Sequence, residues 1–266
     1  MDYLLTEEQI MIRDLARQIA KEKIKPVAAK YDAEGTFPWD IVKIMADSDL
    51  FGIYIEEKYG GTGGSTMELV LATEELSKAC GGIALALAAT ALGAYPIILF
   101  GTDEQKEKYL PDIAKGKRLA AFALTEAGAG SDAAAISTTA KKKGASYVLN
   151  GTKQWITNGG EAEIYTVIAS ADKSKGARGA AAFIVEKGMD GFEFGKKEDK
   201  MGIRASATRE LVFTDCKVPK ENLLGKEGMG FIVTMKTLDQ SRPGVASQAL
   251  GIAQGALDLT LEYVKQ

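Results

Sequence analysis

The feature that most constrains this chain is a double change in the spacing of its apolar residues. From residue 6 to about 115 the spacing is helical. Thr6-Glu-Glu-Gln9 is a capping box, and Ile12, Leu15, Ala16 and Ile19 then recur at i, i+3, i+4 and i+7. Pro26 ends or closely follows that helix, and a second starts near Pro38 with Ile41, Ile44 and Met45 facing inward. Lys58–Gly64 is too glycine-rich for regular structure and reads as a loop. An amphipathic helix over Thr66–Lys78 and an Ala-rich one from Ile83 to about Gly93 follow. A second capping box, Thr102-Asp-Glu-Gln105, opens a short helix ending before Pro111 or Gly116.

Near Leu119 the pattern changes. Leu119–Leu124, Tyr147–Leu149, Tyr165–Ala169, Ala180–Val185 and Glu210–Phe213 are short runs bounded by Gly, Asp, Asn or Lys. They predict a β-domain of antiparallel strands in a barrel or sandwich. Near Gly228 the helical period returns: Phe231–Leu238 and then Ala246–Val264 form one or two long helical segments, with Pro243 early in the second. The expected architecture is therefore α+β and multi-domain: a helical domain over 1–116, a β-domain over 117–228, and over 229–266 the first helical part of an incomplete bundle. At 266 residues more than one core is expected. Val245–Leu261 is too apolar to bury itself alone, so further helices are expected on additional chain or on another polypeptide.

Composition narrows the chemistry. There is no histidine, so a Ser–His or Cys–His nucleophile, a His metal site and a His base are excluded within this chain. Cys80 and Cys216 are far apart and lack a C-x-x-C partner, which points to reduced thiols in a cytoplasmic compartment and to no zinc site. A net charge of −3 gives no reason to propose a nucleic-acid partner, and Lys141-Lys142-Lys143 beside a glycine reads as a solvated turn. The longest apolar stretch, Ile83–Leu92, is too short to span a bilayer.

Two segments carry the chemistry. Phe122-Ala-Leu-Thr-Glu-Ala-Gly-Ala-Gly-Ser-Asp132 runs from an apolar strand into a glycine-rich turn ending in a hydroxyl and a carboxylate. Gly151-Thr-Lys-Gln-Trp-Ile-Thr-Asn158 places an indole, a threonine hydroxyl and an amide within four residues. Together they offer backbone N–H groups for anionic oxygens, an aromatic face for a flat ring and hydroxyls for its heteroatoms, as a flavin and a nucleotide-bearing thioester require. Taken alone, the glycines are as readily an ordinary turn and Trp155 is more often a core anchor.

These segments, with Glu57-Lys-Tyr-Gly-Gly61, Phe100-Gly-Thr-Asp-Glu-Gln-Lys106, Lys200-Met-Gly-Ile-Arg204 and Ala249-Leu-Gly-Ile-Ala253, resemble the acyl-CoA dehydrogenase family over nearly the whole chain. Within it the resemblance is to the short-chain, butyryl-CoA-type members of anaerobic bacteria. It implies FAD held between the β-domain and a C-terminal four-helix bundle, in a cytoplasmic homotetramer. The implied reaction is dehydrogenation of a short- or medium-chain acyl-CoA to the trans-2-enoyl-CoA. A carboxylate takes the α-proton, hydride passes from the β-carbon to flavin N5, and an electron-transferring flavoprotein takes the electrons.

The resemblance also implies residue roles. Thr125 and Thr157 match threonines that hydrogen-bond the flavin ring, Trp155 an aromatic lying against it, and Gly128 and Gly130 glycines at the phosphates. Phe122, Leu124 and Ile156 belong to the same cofactor set. Ser131 matches a residue at the cofactor or the pantetheine arm, and Asp239, Gln240, Ser241 and Arg242 a run contacting CoA. Branched-chain and long-chain relatives place their catalytic glutamate where this chain has Ser241, so the base is expected beyond Gln266. Ile83–Leu92 matches the wall of the acyl pocket, and lacking the arginine of glutaryl-specific members it implies a neutral acyl chain. Alternatives carried with this reading are an oxidase relative and a non-catalytic or split-subunit relative that binds acyl-CoA and FAD.

Overall fold

The computed structural model describes residues 4–266. Its helical part comprises α1 (Glu7–Ile19), α2 (Ala28–Glu34), α3 (Trp39–Asp47), α4 (Thr66–Ala79), α5 (Gly81–Phe100) and α6 (Asp103–Ala114). Both expected capping boxes are present. The Thr6 and Thr102 hydroxyls accept the N–H groups of Gln9 and Gln105, whose side chains return a bond to the cap N–H. A further box, Ser65 with Glu68, starts α4. α1 passes into a single π-helical stretch over Ala20–Ile24 before Pro26. Ile41 and Met45 are buried on α3, while Ile44 is only half-buried.

α5 is the axis of the molecule. It packs against α4, α6, β1 and the C-terminal helix, so it needs no polar face and has none. It runs well past the expected end at Gly93 and contains Pro96. At 20 residues it is long and apolar enough to cross a membrane, contrary to the reading of Ile83–Leu92, yet most of it is buried among the protein's own elements.

The sheet contains β1 (Ala120–Ala123), β2 (Thr139–Lys143), β3 (Ser146–Thr157), β4 (Ile164–Ser170), β5 (Ala180–Glu186), β6 (Phe192–Lys197), β7 (Thr208–Pro219) and β8 (Leu223–Leu224). The strand order is β6-β7-β3-β2-β4-β5-β8, with β1 beside β4. The path has two ends, so the sheet is sandwich-like and does not close into a barrel. The expectation of antiparallel strands holds for most pairs. The exceptions are β1, which lies parallel to β4 with Ala120 opposite Ile164, and the single parallel pairing of Thr139 with Ser170. Lys141–Lys143 are a strand with exposed side chains and not a turn; the turn is the following Gly144-Ala145, with Gly144 at φ 61°.

The C-terminal helix, α7 (Gly230–Tyr263), is a single unbroken element of 34 residues with Pro243 inside it. Its packed face is rich in small residues. A Cβ at Gly251 would overlap the Glu74 carbonyl of α4, and one at Gly255 the Lys78 carbonyl. All of its buried residues lie between Gly230 and Gly251, whereas Leu257, Leu259, Leu261 and Tyr263 are exposed.

Candidate active site

The two chemistry-bearing segments meet. Phe122 on β1, Leu124 and Thr125 just after it, and Trp155, Ile156 and Thr157 at the end of β3 line one cleft of about 210 Å³. Ala89 and Leu92 of α5 and Leu238 of α7 close it. The strand ends are tied at the backbone, where the Gln154 N–H donates to the Thr125 carbonyl at 2.8 Å.

The local fold aims Trp155 outward. The β3–β7 ladder slips between Lys153 and Ile156, and Trp155 takes the left-handed backbone conformation at φ 57°. That conformation costs a non-glycine residue about 1–2 kcal/mol. The indole is 55% exposed, which is unusual for so large an apolar group and puts a flat aromatic face at the mouth of the cleft. Asn158, also left-handed at φ 62°, is fully buried and ties the end of β3 to its neighbours. Its side-chain amide donates to Thr90 Oγ1 and the Ala120 carbonyl, both at 3.2 Å, and its backbone N–H to the Ala207 carbonyl.

Gly128, Gly130 and Ser131 lie on the exposed turn beyond Thr125, outside the cleft lining. Neither glycine has a positive φ, and a Cβ at either would meet nothing within 4 Å. The protein's own backbone and packing therefore do not require glycine there, whereas a ligand approaching the backbone would. Asp239, Gln240, Ser241 and Arg242 do not line the cleft; their neighbour Leu238 does. Asp239 and Arg242 form an exposed pair at 3.2 Å, Gln240 donates to Thr66 Oγ1, and the Ser241 hydroxyl returns to the Leu238 carbonyl at 3.1 Å.

The structure adds two residues to which the sequence reading gave no role, Glu126 and Lys153. Lys153 has no exposed surface and Glu126 is 4% exposed. The Lys153 ammonium donates to Glu126 Oε1 at 2.7 Å and to the Leu124 carbonyl at 2.8 Å. Glu126 also accepts from the Ser137 N–H (2.6 Å), the Ser137 hydroxyl (2.5 Å) and the Thr138 N–H (3.0 Å). Burial alone would raise the Glu126 pKa, but the ammonium and these donors outweigh it and hold the carboxyl at about 2. Burial pulls the Lys153 ammonium down to about 8, with Glu126 opposing the fall. The signal in the sequence was a Glu and a Lys, one in the interior of each of the two segments, among mostly apolar, small or hydroxyl residues.

A sheet-and-helix cleft with an outward aromatic plate and two hydroxyls, followed along the chain by an exposed glycine turn, has the shape and chemistry that suit a flat, anion-bearing cofactor. The acyl-CoA dehydrogenase N-terminal, middle and C-terminal domain models match residues 6–117, 121–216 and 228–266. The chain is 48% identical over 267 residues to the short-chain-specific acyl-CoA dehydrogenase of Clostridium acetobutylicum, covering 100% of this chain and 70% of that protein. It superposes on butyryl-CoA dehydrogenase of Megasphaera elsdenii with a TM-score of 0.97 and 49% identity, over 100% of this chain and 71% of that one. A chain from a structure of the electron transferring flavoprotein of Acidaminococcus fermentans, described in the context of flavin-based electron bifurcation, gives a TM-score of 0.97 and 52% identity over 99% and 70%.

The chain belongs to the acyl-CoA dehydrogenase family. It is an FAD-dependent oxidoreductase, with short-chain and butyryl-CoA dehydrogenases among its relatives.

Proposed function

We propose that this protein dehydrogenates a neutral short- or medium-chain acyl-CoA to the trans-2-enoyl-CoA and passes the electrons to an electron-transferring flavoprotein. The observation that carries the reading is the convergence of Thr125 and Trp155–Thr157 with the α5 wall on one cleft. When bound, FAD supplies the hydride acceptor. Of the residues lining the cleft, Thr125 and Thr157 would offer hydroxyls to its ring, Trp155 a flat aromatic face, and Phe122, Leu124 and Ile156 an apolar surround. Gly128, Gly130 and Ser131 would admit the diphosphate or the pantetheine arm, and Asp239, Gln240, Ser241 and Arg242 would address the CoA moiety.

Ala89 and Leu92 supply a small, uncharged wall for the acyl chain and exclude water from the reacting carbons. A carboxylate tail would find no counter-charge among the residues lining the cleft and would be costly to bury there. None of those lining residues carries an acidic or basic side chain, so the acceptor of the α-proton in this reading is a carboxylate outside this lining. The working form is a cytoplasmic homotetramer in this reading, by analogy with the family.

Two measurements test the reading. Acyl-CoA thioesters of graded length, added anaerobically to the flavin-loaded protein, are expected to bleach the visible flavin band, most strongly for short chains. No bleaching with any thioester would reject dehydrogenation and favour a relative that only binds. Fast peroxide formation without an electron-transferring flavoprotein would favour an oxidase. Separately, Thr157→Ala is expected to weaken FAD binding by roughly 3- to 10-fold, the worth of one hydrogen bond. Trp155→Ala is expected to cost at least as much, and both are read by flavin fluorescence titration.

A further inference from the structure

Lys153 and Glu126 do not line the cleft, yet they flank its seam on both sides. We infer that their buried ion pair is the positioning clamp of the cleft, holding the Thr125 edge and the Trp155–Thr157 edge at the separation and tilt that a bound ring needs. This rests on the flavin reading above.

Three cross-links bridge the seam within a few residues of chain. Lys153 Nζ donates to the Leu124 carbonyl and to Glu126, and the Gln154 N–H donates to the Thr125 carbonyl. Leu124 and Thr125 just after β1, and Trp155, Ile156 and Thr157 on β3, are the cleft-lining residues next to these bonds. Glu126 is itself held from behind by Ser137 and Thr138, so the clamp has a fixed anchor. Glu126 and Ala129 also exchange both backbone hydrogen bonds at 3.1 Å, which closes the glycine turn that carries Gly128. Glu126 thus joins the two edges through its carboxylate on Lys153 and closes the start of the turn through its backbone.

The chemistry favours positioning over stability as the reason for the pair. A buried ammonium and carboxylate recover little net stability compared with apolar residues filling the same space. Directional, charge-assisted bonds to fixed oxygens prevent sliding, and apolar contacts do not. The ladder at this point is also slipped between Lys153 and Ile156, so regular strand pairing does not fix the placement of Trp155 unaided.

The test compares FAD affinity with thermal stability in Lys153→Met, Glu126→Gln, the double variant and the milder Ser137→Ala. Leu50→Ala, fully buried in the helical part and outside the cleft lining, serves as a destabilised control. Affinity is measured by fluorescence titration of the apoprotein, and kcat and KM on the loaded protein. Lys153→Met and Glu126→Gln are expected to weaken FAD binding roughly tenfold or more and to lower kcat more than they raise KM. Leu50→Ala, melting as low or lower, is expected to bind FAD within about twofold of the wild type. The double variant is expected to recover melting temperature without recovering affinity, and Ser137→Ala to show a smaller loss of affinity should the others fail to fold.

If affinity in the pair variants falls no further than in Leu50→Ala, the pair is structural and the inference is wrong. Trp155→Ala and Thr157→Ala are the separate control. Wild-type FAD binding in both would overturn the flavin reading itself, whereas their loss alongside an unaffected Lys153→Met would overturn the clamp alone.

Discussion

Lys153→Met is expected to cost about 3–5 kcal/mol of folding stability, measured by denaturant titration, because it strands the Glu126 carboxylate without its counter-ion. Glu126→Gln in the same background is expected to return much of that loss, since the two changes act on one interaction and do not add. The pair also sets an acid dependence. The folded Glu126 carboxyl titrates at about 2, below its ordinary 4.5. A depressed folded pKa means stability that is fully present above the unfolded value and is lost as pH falls through the folded one. Wild-type stability is thus expected to drop between about pH 4.5 and 2 by roughly 3 kcal/mol from this group, at about 1.4 kcal/mol for each pH unit between the two values. Glu126→Gln removes that part of the slope. An unchanged acid profile in the variant would show that the carboxyl is not held ionised by its surroundings.

The second large effect is expected from Gly93→Ala. Helix propensity alone predicts a gain of about 1 kcal/mol from replacing glycine inside a helix. The site reverses the sign. α5 lies directly on β1 there, and a Cβ at Gly93 would overlap the Ala121 nitrogen and stand 2.7 Å from the carbonyl carbon of Ala120. Those are backbone atoms of an interior strand and cannot rotate away. Displacing α5 also stretches the bond from Thr166 Oγ1 to the Gly93 carbonyl, 3.1 Å long and fully buried. Overpacking and a stranded hydroxyl each cost about 1–3 kcal/mol, so a net loss of about 3 kcal/mol is expected by thermal melting. Leu92 and Ala89 of the same helix line the cleft, so the acyl-CoA KM is expected to move with stability. A variant as stable as the wild type would show that the helix can lift from the sheet without loss.

Much of the fold was legible because it is local. The boxes at Thr6 and Thr102 need only four consecutive residues, and both formed. The cleft was legible for the same reason: each half of it lies within one short segment, and the hydroxyls and the indole advertise themselves. What escaped depends on neighbours far along the chain. Pro96 lies inside α5, which the sequence pattern ends near Gly93, whereas α6 ends at Ala114, at the Gly116 boundary and past Pro111, and Pro243 lies within a helix as expected. Lys141–Lys143 lack the apolar alternation of a strand because their side chains face solvent, and their strand identity comes from β3 across the hairpin. Glu126 and Lys153 lie 27 residues apart, and nothing in either segment shows that they meet in the interior.

Anchoring along α7 is uneven, and this governs how the helix moves. Its first half is wedged against α4 and the sheet, with Val233, Thr234 and Thr237 fully enclosed, while no residue after Gly251 is buried. Backbone amides share a free energy of opening only where side chains couple them to the core. In this chain the rod is therefore expected to exchange its amides slowly as far as Gly251, where it behaves as part of the cleft wall through Leu238, and faster beyond the Gly255 contact with α4, as hydrogen exchange would read.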